Sequence, residues 1–198
     1  MQGPIKYFIC FFGIFSSLQA MPTETMKNLE IKLQLDQERF NNLAAQLAPY
    51  YSETLYQTDT YFETKHDRFK LREENGKTPY LIRYQRPDLE EAKQSNYLFY
   101  PVNNVDLFLS VIGDSLKEEL KIKKQRAIYF PKPHIRVHLD QIEDLGNFLE
   151  IEIILSNTAP LSVAKTEMLE LENWLNITNL SKISLGYREL LQQSKSTY

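Results

Sequence analysis

The chain has 198 residues, 42% apolar and 25% charged, which excludes a disordered chain and suits one domain of ordinary size. A formal net charge of −3 gives no global basic field for nucleic acid or an anionic membrane, so any anion site must arise locally. One cysteine and 6 glycines exclude a disulfide framework, a multi-cysteine zinc site and a glycine-rich phosphate loop as the main device.

The chain opens on an apolar run, Tyr7–Leu18, which holds Cys10. A bilayer helix needs about 20 apolar residues, so no stable membrane span is expected. Lys6 before the run and Ala20 after it outline a signal peptide, but Leu18 breaks the small-x-small pattern of a cleavage site. Three readings stay open: an upstream start added to a protein that begins at Met21 or Met26, a signal or anchor, and an apolar helix. A cytoplasmic protein is expected, with export the alternative if residues 1–20 act as a signal. Residues 1–25 are set apart as an extension, 26–193 as one domain and 194–198 as a tail.

From Asn28 the chain has a period of two. Leu29, Ile31, Leu33 and Leu35 take one face of a strand, and Asn28, Glu30, Lys32 and Gln34 the other. Asp36 offers an N-cap to a helix carrying Phe40, Leu43, Ala44 and Leu47, which Pro49 stops. Strands follow at Leu55–Phe62 and Arg68–Arg72, with Asn75-Gly76 as a hairpin turn, then at Tyr80–Arg86, which Pro87 ends, and Asn96–Tyr100. Val105, Phe108, Leu109, Ile112 and Leu116 mark a second amphipathic helix. Strands at Leu120–Phe130, Ile135–Leu139 and Phe148–Leu155 precede a third helix with Ala164, Met168, Leu171 and Leu175, and a short last one over Tyr187–Gln192. This reads as one α+β domain of about eight short, mainly antiparallel strands with helices inserted.

The charged face carries the chemistry. Lys32, Lys70, Arg72, Arg83, Lys124, Arg126 and Arg136 each hold an alternating strand position, as do Glu30, Glu150 and Glu152. Three amphipathic helices need an apolar sheet face to cover. If they cover the outside of a closed sheet, the charges point into its lumen. Cations there suit phosphate oxygens, which arginine grips bidentately, and carboxylates suit hard ions such as Mg2+ or Mn2+. A polyphosphate substrate with a metal follows; the reaction does not.

These residues fall in a familiar order. Asn28-Leu-Glu30-Ile-Lys32, Thr58-Asp59-Thr-Tyr61-Phe62, Phe69-Lys70-Leu-Arg72-Glu73 and Ile82-Arg83-Tyr-Gln-Arg86-Pro87 are followed by Lys123-Lys124-Gln-Arg126-Ala-Ile-Tyr129. Ile135-Arg136-Val-His138-Leu-Asp140, Leu145-Gly146-Asn-Phe148-Leu-Glu150-Ile-Glu152 and Gly186-Tyr187-Arg188-Glu189-Leu190-Leu191 complete the set. From Asn28 to Leu191 the chain resembles the CYTH domain, or triphosphate tunnel metalloenzymes, and within it the class IV adenylyl cyclases. The resemblance implies an eight-stranded antiparallel closed tunnel, with amphipathic helices outside, that binds a nucleoside or inorganic triphosphate. By position it implies metal carboxylates at Glu30, Glu150 and Glu152, with Asp140 a further candidate. Lys32, Lys70, Arg72, Arg83, Lys124 and Arg126 would hold the triphosphate, joined by Arg136 from the charged face. Lys32, with Glu30 beside it, is the candidate catalytic residue. An adenylyl cyclase is the leading expectation, a triphosphatase the second and a non-catalytic phosphate-binding module the third. A homodimer is kept among the options. The family's first glutamate is Asn28 here, and Gln85-Arg86 replaces a usual lysine, so one metal ligand and one tunnel cation are altered.

Elsewhere the plainer readings prevail. His134 and His138 share a strand face and suggest structural hydrogen bonds before a metal site with Asp140. Asp59 divides evenly between tunnel mouth and turn. Tyr61, Tyr129 and Trp174 are expected in packing, and the glycosylation patterns at Asn176 and Asn179 matter only in an exported chain.

Overall fold

The computed structural model describes residues 26–65, 67–85, 93–156 and 160–196. The extension with Cys10, Ala20 and Met21 lies outside the described residues, as do Arg86 and Pro87. The elements run β1 (Met26–Leu35), α1 (Gln37–Leu47), β2 (Tyr51–Phe62), β3 (Arg68–Glu74), β4 (Tyr80–Gln85), β5 (Lys93–Pro101), α2 (Val105–Ile112), β6 (Glu118–Lys132), β7 (Ile135–Ile142), β8 (Gly146–Ile154), α3 (Leu161–Trp174) and α4 (Tyr187–Ser196). All neighbouring strands pair antiparallel, in the order β1-β5-β4-β3-β2-β6-β7-β8, and the β1–β8 ladder closes the sheet into a barrel. The expected eight-stranded antiparallel tunnel is therefore present.

Alternation sorts the side chains. On β1, Leu29, Ile31, Leu33 and Leu35 turn outward and are buried with Leu139, Leu149, Ile151 and Ile153 beneath Leu43 and Leu47 of α1 and Ala164, Met168 and Leu171 of α3. Burying each such side chain contributes about 1.5–3 kcal/mol, which makes this outer layer the main core. A second outer patch, Phe62, Phe69, Leu71 and Leu81, takes Val105, Phe108 and Ile112 of α2. The helices start where local chemistry directs. The Asp36 side chain accepts from the Arg39 N–H at 2.7 Å, and Asn104 accepts from Leu107 at 2.9 Å. Gly76, with φ +71°, turns β3 into β4 in a conformation that side chains with a Cβ rarely adopt.

Two elements differ from the sequence reading. α2 ends at Ile112, because Gly113 takes φ +43° there, so Leu116 packs from the following loop. α4 runs beyond Gln192 to Ser196, and it does not pack outside. Its Tyr187 and Leu191 join Tyr61, Ile122, Ile142 and Phe148, all of them inward-facing, so α4 lies across one end of the tunnel.

Candidate active site

Cross-strand partners share a face, so the ladder registers define the tunnel lining. Glu30 stands opposite Glu152 and Lys32 opposite Glu150. Those glutamates stand opposite Arg136 and His138 of β7. Arg126 is paired with Asp140, Asp59 with Arg72, and Tyr61 with Lys70. Gln57 is paired with Lys124. Glu30, Lys32, Lys70, Lys124, Arg126, Asp59, Asp140, His138 and Glu150 are all buried. Such a set is tolerated only because it is internally paired.

Three ion-pair centres organise it. Asp59, 1% exposed, accepts from Arg72 through both oxygens at 2.5 and 2.6 Å and from Lys70 at 2.8 Å, with Lys124 Nζ 3.6 Å away. Burial alone would raise this carboxyl, but Arg72, Lys70 and Lys124 outweigh it and hold the group well below its ordinary value. Burial and the Arg72 charge push Lys70 down to about 8 against the pull of Asp59, and burial with Arg126 and Arg72 pushes Lys124 down too.

At the second centre, Arg126 Nε and Nη2 donate to the two oxygens of Asp140 at 2.7 and 2.6 Å, and the Tyr187 hydroxyl donates to Oδ2 at 2.7 Å. At the third, Glu150 meets Lys32 at 2.7 Å, Arg126 at 3.0 Å and His138 Nδ1 at 3.3 Å. Burial opposes the Glu150 charge, but Lys32 and Arg126 keep its carboxyl well below the usual range. Glu152 meets Arg136 at 3.0 Å. Tyr187 also lies over Lys32, whose Nζ is 4.0 Å from the ring centroid, and edges Phe148 at 5.1 Å.

The tunnel thus gathers Glu30, Lys32, Lys70, Arg72, Lys124, Arg126, Arg136, Asp140, Glu150 and Glu152, but not Arg83. Arg83 is in register with Phe69 and Leu98, on the face opposite to Lys70. Its side chain is 59% exposed and pairs with Asp67. Parity turns it outward, and Ile82 takes the inward position. Asp140, expected among the metal carboxylates, instead has its oxygens bound by Arg126 and Tyr187.

The donor atoms that converge are those of His138, Glu150 and Glu152, all within 4.8 Å of one another. Two carboxylates and an imidazole fit a divalent ion. Asn28 adds an amide on the same inward face, two residues from Glu30, and among the described residues both of its polar atoms are buried without a hydrogen-bond partner. His134 is elsewhere, bonded to Glu167 of α3 at 2.9 Å, so the two histidines do not form one site. Trp174 is 39% exposed and edges Tyr50 at 5.7 Å instead of joining the core. Sequence reasoning missed the part of Tyr187 and the central place of Asp59. The alternation of Asp59 with Tyr61 was the signal available for the latter.

The structure is thus a closed antiparallel barrel whose cations and carboxylates turn inward. The CYTH domain model matches residues 26–187, and the chain belongs to that family, which binds triphosphates and depends on metal ions. A Methanocaldococcus jannaschii protein named "Putative adenylate cyclase" is 27% identical over 178 residues, covering 83% of this chain and 98% of that protein. A conserved hypothetical protein of Pyrococcus furiosus shares the fold at TM-score 0.70 and 22% identity, over 82% of this chain and 99% of that one. A Hippeastrum structure, described as an adenylyl cyclase candidate with a dominant triphosphatase activity, matches at TM-score 0.63 and 15% identity, over 81% of this chain and 91% of that one. Among the described residues no helix is long and apolar enough to cross a membrane.

Proposed function

We propose that this tunnel is the active site of a metal-dependent, triphosphate-processing enzyme, with ATP cyclisation to cyclic AMP and pyrophosphate as the leading reaction. The observation that carries the reading is the cation wall of buried Lys70, Lys124 and Arg126 and half-buried Arg72, facing the carboxylate and imidazole cluster across one lumen. The cations would grip the phosphate chain through charge-assisted hydrogen bonds, exchanging Asp59 and Glu150 for phosphate oxygens. A bound Mg2+ or Mn2+ would supply charge neutralisation at the phosphate oxygens. Lys32 orients the nucleophile, and Glu30 accepts its proton. In cyclisation the ribose 3′-oxygen bonds to the α-phosphorus as the bond to pyrophosphate breaks; phosphoryl transfer of this kind is mainly positioning and electrostatics.

An aromatic row on the inward face of β4 and β5 supports a nucleoside substrate. Phe99 lies 5.6 Å from Tyr97 and 5.7 Å from Tyr80, ring centre to ring centre. The name of the Methanocaldococcus relative points the same way. Triphosphate hydrolysis is the second reading, favoured by the activity described for the Hippeastrum protein, because the same clamp serves attack by water on the terminal phosphorus. We place the activity in the cytosol, where nucleoside triphosphates are abundant; cell fractionation tests that placement.

Phosphorus-31 NMR of the full chain with ATP, and separately with inorganic triphosphate, in Mg2+ or Mn2+ tests the proposal. Pyrophosphate with cyclic AMP supports the leading reading and orthophosphate the second. Binding without any turnover would leave only a phosphate-binding module.

A further inference from the structure

We propose that the divalent ion of this tunnel is bound through the His138 imidazole as well as through Glu150 and Glu152, and that this nitrogen makes the site favour Mn2+ over Mg2+. The inference rests on the metal-dependent reading above and adds the ligand that selects the ion.

The geometry brings the three donors together from two adjacent strands. His138 is in register with Glu150, and Glu152 follows two residues later on the same face of β8. His138 Nδ1 is 3.3 Å from Glu150 Oε1 and 3.9 Å from Glu152 Oε1, so the imidazole stands between the carboxylates with its Nδ1 turned to both. The side chain is only 3% exposed, so its ring has no freedom to leave the lumen without breaking the wall. A second observation is independent of the carboxylates. Asn28 is 1% exposed, and among the described residues neither Oδ1 nor Nδ2 has a hydrogen-bond partner. Its inward face is shared with Glu30, which stands opposite Glu152. A buried amide left unpaired is costly, and its carbonyl oxygen is a hard, neutral donor of the kind that completes a divalent site.

The donor types decide the ion. Mg2+ takes oxygen ligands almost exclusively and gives up its water reluctantly, whereas imidazole nitrogen suits first-row transition ions. A metal ligand must also be neutral imidazole. One feature limits affinity. Both oxygens of Glu150 already meet cations, Lys32 at 2.7 Å and Arg126 at 3.0 Å. An ion must compete with them, so the telling quantity is the preference between two ions and not the absolute strength.

The test uses the full chain, stripped of metal, with Mn2+ alone and then with Mg2+ as competitor. Free Mn2+ is followed by its electron paramagnetic resonance signal, and bound Mn2+ by pulsed resonance for nitrogen coupling. The wild type is expected to show a directly coupled nitrogen and at least a tenfold preference for Mn2+. In His138→Gln the coupling vanishes and the preference falls below threefold, while circular dichroism checks that the variant is folded. Bound Mn2+ without nitrogen coupling in the wild type overturns the inference whatever the variant does, and so does an unchanged preference in folded His138→Gln. Mn2+ that binds without nitrogen coupling and is lost in Glu152→Gln would remove His138 alone and leave the metal-dependent reading intact. No Mn2+ binding at all would remove both.

Discussion

Asp59 accepts from Arg72 through both oxygens and from Lys70 at 2.8 Å, deep in the lumen, so the cation clamp carries its own anion. Removing that charge strands buried Lys70 and Lys124 and half-buried Arg72. Breaking a buried pair by deleting one partner costs about 3–5 kcal/mol, and Asp59→Asn should lose about that in urea unfolding. Inorganic triphosphate should then restore more of the melting temperature to the variant than it adds to the wild type, since phosphate replaces the missing carboxylate. The Asp59 carboxyl lies below its unfolded value, so its contribution is complete above about pH 4 and is lost as pH falls through the folded value. Lys70 behaves in the opposite functional sense. Its folded value is about 8 against 10.5 for the free side chain, so between those values the unfolded chain holds the extra proton and this group adds stability as pH rises. The same proton loss removes a phosphate ligand. Triphosphate affinity should therefore weaken as pH passes about 8, and Lys70→Arg should flatten that profile in a calorimetric titration.

At the scale of the strand, parity decides which charges are chemistry and which are surface. β1 announces its parity because four aliphatic residues alternate with four polar ones, and its two faces were legible from the residues alone. β4, Tyr80-Leu-Ile-Arg-Tyr-Gln, carries no such signal. Leu81 and Ile82 are adjacent and both apolar, so the residues alone let either face in; the register gives the inward position to Ile82 and turns Arg83 outward. The measurable consequence is a contrast. Arg83→Ala should leave inorganic triphosphate affinity within about threefold of wild type, whereas Arg72→Ala, which removes an inward-facing charge-assisted donor worth about 1.5–3 kcal/mol, should weaken it by about tenfold or more. Equal losses in the two variants would mean that the β4 register is wrong.

Across the whole molecule, the barrel gives each helix a separate task. α1 and α3 cover the dry outer face, α2 covers the β2–β4 patch, and α4 turns Tyr187 into the lumen to reach Asp140. The succession of strands and helices along the chain and the covering of the outer face were legible, because hydrophobic alternation and helical stripes are local patterns. The Tyr187–Asp140 bond joins residues 47 positions apart, and no local pattern reports such a contact. The convergence of His138 with two glutamates was half legible: alternation put His138 on the face of Arg136, but only strand order brought β7 beside β8.

The central claim is that the lumen and not the outer surface takes a phosphate chain. Isothermal titration of inorganic triphosphate into the metal-free chain in EDTA tests it most directly, because without metal there should be binding and no turnover. One molecule per chain is expected, with affinity falling steeply as salt rises and at least tenfold lower in Arg72→Ala. No binding, or binding of equal strength in wild type and Arg72→Ala, would contradict it.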